Sequence, residues 1–311
     1  MDAIRARADL LAAVRSFFAD RGVMEVETPL LSAATITDPN LHSLSCRWHS
    51  PGDAAGVTAY LQTSPEFAMK RLLAAGSGPI FQICKAFRDG EAGRRHNPEF
   101  TLLEWYRPGW DQHRLMDEVD ELLAVILGTA GGERITYTEA FRRHAGLDPL
   151  TASDHELRRS AARAGLTDPE RLERDDLLDL LLAIVVEGEL GRSDPTFLTH
   201  YPASQAALAR LDADDPRVAE RFEVFVNGVE LANGFGELTD PSEQHRRFDR
   251  DLDERRRRGL PTVRMDERLL AALEAGLPAC AGVALGLDRL LMLAQGASDI
   301  AEVLAFPIDR A

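Results

Sequence analysis

Three stretches of the chain hold residue types that folding alone does not demand. The first, "FRDGEAGRRHNPEFTLLEWY" from Phe87 to Tyr106, sets Arg88, Arg94 and Arg95 and four carboxylates around a His96-Asn97-Pro98 turn, then resumes as an apolar strand. Guanidinium groups recognise carboxylate and phosphate with directed, charge-assisted hydrogen bonds. The second is "FEVFVNGVELAN", in which Asn227-Gly228 is the dipeptide that a two-residue type I′ hairpin prefers. That turn sets Val226 opposite Val229 and Phe225 opposite Glu230, so Glu223 shares a face with Phe225 and lies diagonal to Glu230, with backbones about 7–8 Å apart. Two carboxylates on one sheet face repel unless a cation lies between them. An Mg²⁺ ion held by one or two carboxylates and phosphate oxygens meets that need, and a merely solvated face is the alternative. The third is "GVALGLDRLLML", where Gly282 and Gly286 allow close backbone approach and the apolar period after Leu287 starts a helix. Arg289 falls in its first turn, beside the positive end of the helix dipole, a position better suited to a cation that shares an anion with that helix end.

The elements that position these residues are of mixed type. Ile4, Leu11, Val14 and Phe18 form one stripe of a helix that stops at Gly22, and "VMEVETP" reads as a strand ended by Pro29. "TAYLQT", "PIFQICKAF" and "EFTLLEWY" are strand-like, with "SPEFAMKRLLAAG" as a helix between the first two. "MDEVDELLAVILG", "DHELRRSAARAG" and "RDDLLDLLLAIVVEGELG" are helical by period, which makes residues from about 140 to 195 a helical excursion before the sheet returns at "RFEVFVNGVELANGFGEL". With no internal repeat or linker, the expected organisation is one domain over residues 1–311 carrying that insertion.

Composition narrows the function. The 311 residues are 45% hydrophobic, enough for a sizeable core. The densest apolar run, Leu177 to Val186, is interrupted by Asp179 and too short to span a bilayer, so no membrane anchor is expected. Three cysteines at no metal-ligand spacing suggest reduced thiols and a cytoplasmic location. With 36 basic against 51 acidic residues and a net charge of −15, a large nucleic-acid footprint is disfavoured. The basic run "RRFDRDLDERRRRG" alternates with acids and reads as a solvated helix face.

In order along the chain, "RGVMEVETPLLS", "FRDGEAGRRHNPEFTLLEWY" and "GVALGLDRLLML" resemble the three motifs of the class II aminoacyl-tRNA synthetase catalytic domain, in its lysine branch. "TSPEFAMKRLL", "TFLTHYPASQAALAR" and "ELANGFGELTD" match as well. The resemblance implies a fold of mainly antiparallel sheet flanked by helices, a homodimer built around Pro29, and use of ATP with Mg²⁺. It implies that Arg88 holds the α-phosphate and the activated carboxyl, that His96 and Asn97 lie near the phosphates and ribose, that Phe100 stacks under adenine, and that Arg289 holds the γ-phosphate. Asp89, Gly90, Glu91, Leu231 and Gly286 complete the implied nucleotide site, and Glu223 and Glu230 hold the metal. In the amino-acid pocket it assigns Glu237 to the side-chain ammonium, with Ser64, Pro65, Glu66, Glu104, Tyr106, Asn233 and Phe235 around the substrate; Ala284, where the tRNA-charging lysine enzymes resemble one another in having glycine, projects toward the floor of that pocket or into packing behind it. Several acids suit a doubly cationic amino acid, because buried charges need partners.

Two departures refine the resemblance. The lysine enzymes write Arg-x-Glu where this chain has Arg88, Asp89 and Gly90, with Glu91 one step later. The sequence also begins its first motif helix at once, with no place before it for an anticodon-binding domain. Together with the acidic charge and "YPASQAALA", this resembles the truncated lysyl-tRNA synthetase paralogues that attach (R)-β-lysine to a lysine of translation elongation factor P. The expected reaction is therefore adenylation of (R)-β-lysine and transfer to that protein, with tRNA an improbable partner. A synthetase-like enzyme acting on tRNA or a small amine, and a regulatory module that has lost chemistry, are the competing readings.

Overall fold

The structure, a computed structural model, describes residues 2–311. Its strands are β1 (Met24–Glu25), β2 (Leu31–Ser32), β3 (Ser45–Trp48), β4 (Val57–Leu61), β5 (Ile80–Phe87), β6 (Glu99–Pro108), β7 (Glu133–Thr136), β8 (Thr196–Pro202), β9 (Val218–Val226), β10 (Val229–Gly236) and β11 (Cys280–Gly286). Its α-helices are α1 (Asp2–Ala19), α2 (Glu66–Ala74), α3 (Gln112–Leu127), α4 (Tyr137–His144), α5 (Asp154–Arg163), α6 (Arg174–Leu181), α7 (Pro241–Arg257), α8 (Glu267–Gly276) and α9 (Leu287–Gln295). Hydrogen bonding orders eight strands as β1-β5-β6-β11-β10-β9-β8-β7, mainly antiparallel, and β2, β4 and β3 form a small second sheet.

The chain divides into two compact units. The first comprises residues 1–109, 239–280 and 284–311. Within it α1 buries Leu10, Val14, Phe17 and Phe18, and Phe18 stacks on Phe81 of β5 at 4.6 Å. The apolar stripe thus runs through Leu10 and Phe17, while Ile4 is exposed and Leu11 only half-buried. The "VMEVETP" strand is shorter than its composition suggests, since only Met24 and Glu25 join the sheet. The basic run lies on α7, and it is not wholly solvated. Arg247 and Arg255 are buried, the latter donating to the carbonyls of Pro261 and Asp38 and so tying α7 to two loops.

The second unit comprises residues 110–238 with 281–283. Asp111 caps α3 and left-handed Gly128 ends it. Both α4 and α5 begin with full capping boxes, Thr136 with Glu139 and Ser153 with Glu156. The third expected helix stays α-helical only through Leu181, then continues as a π-turn over Leu182–Val186 and a short 3₁₀ turn. Leu177, Leu178, Leu181 and Val186 pack there with Tyr137, Phe141, Tyr201 and Phe225 as one core. The β9–β10 hairpin has its expected register, Val226 opposite Val229 and Phe225 opposite Glu230, and Asn227 and Gly228 both have positive φ, as a type I′ turn requires.

Candidate active site

In the first unit, β5 and β6 run antiparallel and are joined by the charged loop. Its tip is a tight turn in which Gly93 and His96 exchange backbone hydrogen bonds, leaving Arg94 and Arg95 exposed. Gly90 has φ +80°, a conformation that side chains strain to adopt, which explains why no glutamate stands there. Glu91 takes up the neighbouring position instead and lies 3.7 Å from Arg88, whose guanidinium also sits 5.1 Å from the Phe100 ring centre. Asp89 is exposed, and its backbone donates to the His42 carbonyl.

The α9 terminus meets the same loop. Gly286 caps α9, and Arg289 in its first turn donates to the Arg95 carbonyl at 3.3 Å and to Nε2 of His96 at 2.6 Å. A guanidinium only donates, so in this contact His96 Nε2 is the acceptor. Asp288, next to Arg289, is buried and was not anticipated. It accepts from the Thr101 backbone at 2.7 Å and pairs with Arg7 of α1 at 2.5 Å, fixing α9 against β6 one residue from Phe100. Asn97 is buried with its amide spent on backbone: it donates to the Glu99 carbonyl at 2.6 Å and accepts from Ile308 at 3.0 Å. Its side chain therefore holds the loop in shape.

An acidic cluster lies on the same unit. Glu104 of β6 is 2% exposed and accepts from the Tyr106 hydroxyl at 2.6 Å and the Ser64 hydroxyl at 2.7 Å. Burial, with the nearby Glu66, pushes its carboxyl up to about 7. Ser64 in turn accepts from the Glu66 backbone at the start of α2, where Pro65 is the capping residue. Glu66 pairs at 2.5 Å with Lys70, a lysine only 1% exposed. Burial and Glu104 push the Cys84 thiol up to about 12, so it is an inert neutral neighbour. Ala284 and Gly286 are the half-buried, alternate positions of β11, whereas the residues between and before them are buried. Ser64, Pro65 and Glu66 also line a cavity of about 170 Å³ with Thr35, Gln62 and Arg71.

In the second unit the hairpin departs from regular alternation at one point. A bulge at Leu231 shifts the register, so Asn233 rather than Ala232 faces Glu223, and Phe235 faces Arg221. Without that extra residue, Glu230 would share a face with residues 232 and 234; with it, Glu230, Asn233 and Phe235 all join Glu223. Gly234 points the other way, where an added Cβ would collide with the Phe222 ring. Glu237, two residues beyond Phe235, is 1% exposed. Glu223 accepts from Arg221 at 2.6 Å, from Tyr201 at 2.6 Å and from Asn233 at 3.3 Å. Burial raises its carboxyl above the ordinary value; Arg221 opposes this and Glu230 adds to it. The cation nearest Glu223 is thus Arg221 of its own strand, so repulsion alone does not require a metal. The donor set still fits Mg²⁺: three of the roughly four acceptor sites of Glu223 are taken, by groups that orient it, and Glu230 lies on the same face. Among the described residues no group of three or more His, Cys, Asp or Glu side chains that could hold a metal ion is found. A larger cavity of this unit, about 640 Å³ around His200, Asp212 and Arg217, contains none of the expected site residues.

The family model for class II tRNA synthetases (D, K and N) matches residues 1–310. The chain belongs to the class II tRNA synthetase family. Curated relatives from Salmonella dublin, Salmonella heidelberg and Salmonella typhimurium, each named elongation factor P–(R)-β-lysine ligase, are 55% identical over 307 residues, covering 98% of this chain and 94% of theirs. This class II chain therefore carries an ATP-using enzyme fold and resembles ligases over nearly its whole length.

Sequence reasoning missed Lys70, Asp288, Arg7, Tyr201, Arg221 and the Leu231 bulge. Lys70 was legible in principle, since Glu66 and Lys70 stand at i, i+4 on one helix. Arg221 likewise stands two residues before Glu223 on one strand face. The bulge left no signal that a propensity argument reads. Among the described residues no helix is long and apolar enough to cross a membrane.

Proposed function

We propose that this chain activates (R)-β-lysine with ATP and transfers it to a lysine side chain of translation elongation factor P. The observation that carries the reading is the full-length 55% identity to ligases of that name, together with a charged loop and acid cluster arranged as the chemistry needs. In the first step the substrate carboxylate attacks the α-phosphate of ATP, forming the acyl-adenylate and releasing pyrophosphate. Arg88 and Arg289 lower the repulsion between these anions, more so as charge builds in the transition state. His96, whose Nε2 accepts from Arg289, stands beside that guanidinium where the phosphates are expected. Phe100 offers its face to adenine beside Arg88. Glu223 and Glu230 would hold Mg²⁺, which when bound neutralises phosphate charge.

In the second step the acceptor lysine amine, uncharged, attacks the adenylate carbonyl; the C–N bond forms, the C–O bond to the phosphate breaks with its electron pair on the departing AMP, and the surplus amine proton passes to AMP or solvent. No enzyme nucleophile is needed, which accords with three free cysteines of which Cys84 is held neutral. Glu237 receives the distal ammonium, and Glu104 with Ser64, Glu66 and Tyr106 receives the amine nearer the carboxyl. Asn233 and Phe235 share the face that the Leu231 bulge creates. Asp89, Gly90, Glu91, Leu231 and Gly286 contribute backbone or shape to the nucleotide site. The expected assembly is a cytoplasmic homodimer, for which the exposed Met24, Leu30 and Leu31 beside Pro29 supply apolar surface; sedimentation at micromolar concentration should return twice the chain mass, and a fully active monomer would remove that part. The test of function is amino-acid-dependent ATP–pyrophosphate exchange. Exchange with (R)-β-lysine above α-lysine is expected, and none with either would refute adenylation.

A further inference from the structure

The loop between β5 and β6 gathers Arg88, Arg94 and Arg95, Arg289 of α9 reaches it, and residues 92–96 at its tip are exposed. Like charges on an exposed tip repel, so the tip keeps one shape before an anion arrives only if it is tied down. Four consecutive residues of it, Arg94 to Asn97, are each bonded to α9 or to the segment that follows α9. The Arg94 carbonyl accepts from the Ile300 backbone at 2.8 Å, the Arg95 carbonyl and His96 Nε2 accept from Arg289, and Asn97 Oδ1 accepts from the Ile308 backbone at 3.0 Å.

The segment after α9 is itself braced. Left-handed Gly296 ends the helix, and a single 3₁₀ turn, Ile300–Glu302, follows in which Asp299 and Glu302 cap each other's backbone. Ile300, Val303 and Pro307 are buried, and the Val303 carbonyl accepts from Arg7 of α1 at 3.1 Å. Residues 307–310 close as a turn, the Arg310 N–H donating to the Pro307 carbonyl at 2.8 Å. The Ile308 side chain is exposed, so this residue meets the loop through its backbone. Asn97 carries the tie inward: its amide donates to the Glu99 carbonyl, and the Arg88 N–H donates to the carbonyl of Pro98, the next residue, at 2.9 Å.

The two kinds of bond differ in what ATP asks of them. Under the adenylation reading, on which this inference rests, the Arg289 guanidinium serves the γ-phosphate, and its bonds to Arg95 and His96 compete with that role. The Ile300 and Ile308 bonds use backbone N–H groups that have no part in holding substrate. We propose that the segment after α9 is a strut for the nucleotide loop, with Ile300 and Ile308 as positioning residues whose N–H groups hold Arg94 and Asn97, and through them Arg88 and His96, in the pose that ATP meets. A loop ordered beforehand avoids the conformational cost of ordering on contact.

The test uses the full chain with Ile308→Pro, Ile308→Ala, Asn97→Ala and Asn97→Ala/Ile308→Pro, read by calorimetric ATP binding, ATP–pyrophosphate exchange with (R)-β-lysine, and melting temperature. Ile308 is the second residue of its turn, where the fixed φ of proline is favoured, so Ile308→Pro removes the donor and little else. It should weaken ATP binding and raise the KM for ATP by about five- to ten-fold, the worth of one hydrogen bond, with the amino-acid KM and the melting temperature near those of the parent. Ile308→Ala keeps the N–H and should behave as the parent. Asn97→Ala should weaken ATP binding at least as much, and adding Ile308→Pro to it should change nothing further, because the two residues share one bond. Unchanged ATP affinity in Ile308→Pro, an equal loss in Ile308→Ala, or additive losses in the double variant would each overturn the proposal. So would a joint rise of both KM values with a lower melting temperature, which marks a fold element only. If Ile308→Pro does not fold, Asn97→Ala decides: weaker ATP binding at an unchanged amino-acid KM supports the strut, and parent-like binding or a second failure to fold overturns it. A parent that binds ATP without exchange would sink the adenylation reading, while the binding comparison still decides the strut; a parent that binds no ATP would overturn both.

Discussion

Glu104→Gln should make the protein more stable and less able to bind its amino acid, and the size of the first effect follows from burial. The glutamine fits the site: its oxygen can accept from Tyr106 and its amide can donate to Ser64, whose hydroxyl has acceptor capacity to spare. What changes is the charge. Below about pH 4.5 the carboxyl is protonated whether the chain is folded or not. Between 4.5 and 7 the unfolded chain ionises while the folded one stays protonated, so stability falls as pH rises, and above 7 the deficit is constant. A span of about 2.5 pH units at about 1.4 kcal/mol each gives about 3 kcal/mol of destabilisation carried by the parent in alkaline conditions. The variant escapes it. Calorimetry at about pH 8 should therefore show Glu104→Gln melting a few degrees above the parent, with the gap closing toward pH 5. The amino-acid KM should rise at least about ten-fold and lose its pH dependence near neutrality, because a neutral amide cannot pair with an ammonium. Equal melting temperatures at both pH values, or a lower one for the variant at alkaline pH, would refute the claim that Glu104 is an unwillingly buried acid kept for function.

Arg289→Ala and Glu230→Gln should each lower pyrophosphate exchange by about 10²-fold or more while leaving the melting temperature near that of the parent, since both act on transition-state charge and neither fills the core; near-normal exchange would remove the corresponding assignment. Ala284 is half-buried in the same alternation as Gly286, so Ala284→Gly should shift the preference between (R)-β-lysine and α-lysine toward α-lysine by about ten-fold, the value of one methylene-sized misfit; an unchanged ratio would make the residue structural. Gly234→Ala should destabilise the second unit by about 1–3 kcal/mol because the new methyl meets the Phe222 ring, read as a lower denaturation midpoint; an unchanged midpoint would mean the ring moves freely.

Local rules carried the sequence reading where a residue's neighbours along the chain decide its geometry. The Asn227-Gly228 turn determined the hairpin register because both residues must adopt positive φ, and Arg289 fell in the first turn of α9 because the apolar period begins at Leu287. Family resemblance supplied the class II fold. Long-range contacts were less accessible. Asp288 pairs with Arg7, 281 positions earlier, and no local pattern announces that link. The partial burial of the basic run follows from two distant carbonyls that Arg255 reaches. The Leu231 bulge changes which residues share the Glu223 face, although each flanking residue looks like ordinary strand. Glu223 read alone invited a metal to relieve repulsion, whereas Arg221 on its own strand already offsets part of that charge.

The most direct test of the account is the acceptor. The protein would be incubated with ATP, Mg²⁺ and labelled (R)-β-lysine in the presence of purified elongation factor P and tRNA together, and both acceptors analysed by intact mass. The account requires elongation factor P to gain one lysyl residue in amide linkage at a single lysine while the tRNA stays uncharged. Label on the tRNA, with elongation factor P unchanged, would contradict it.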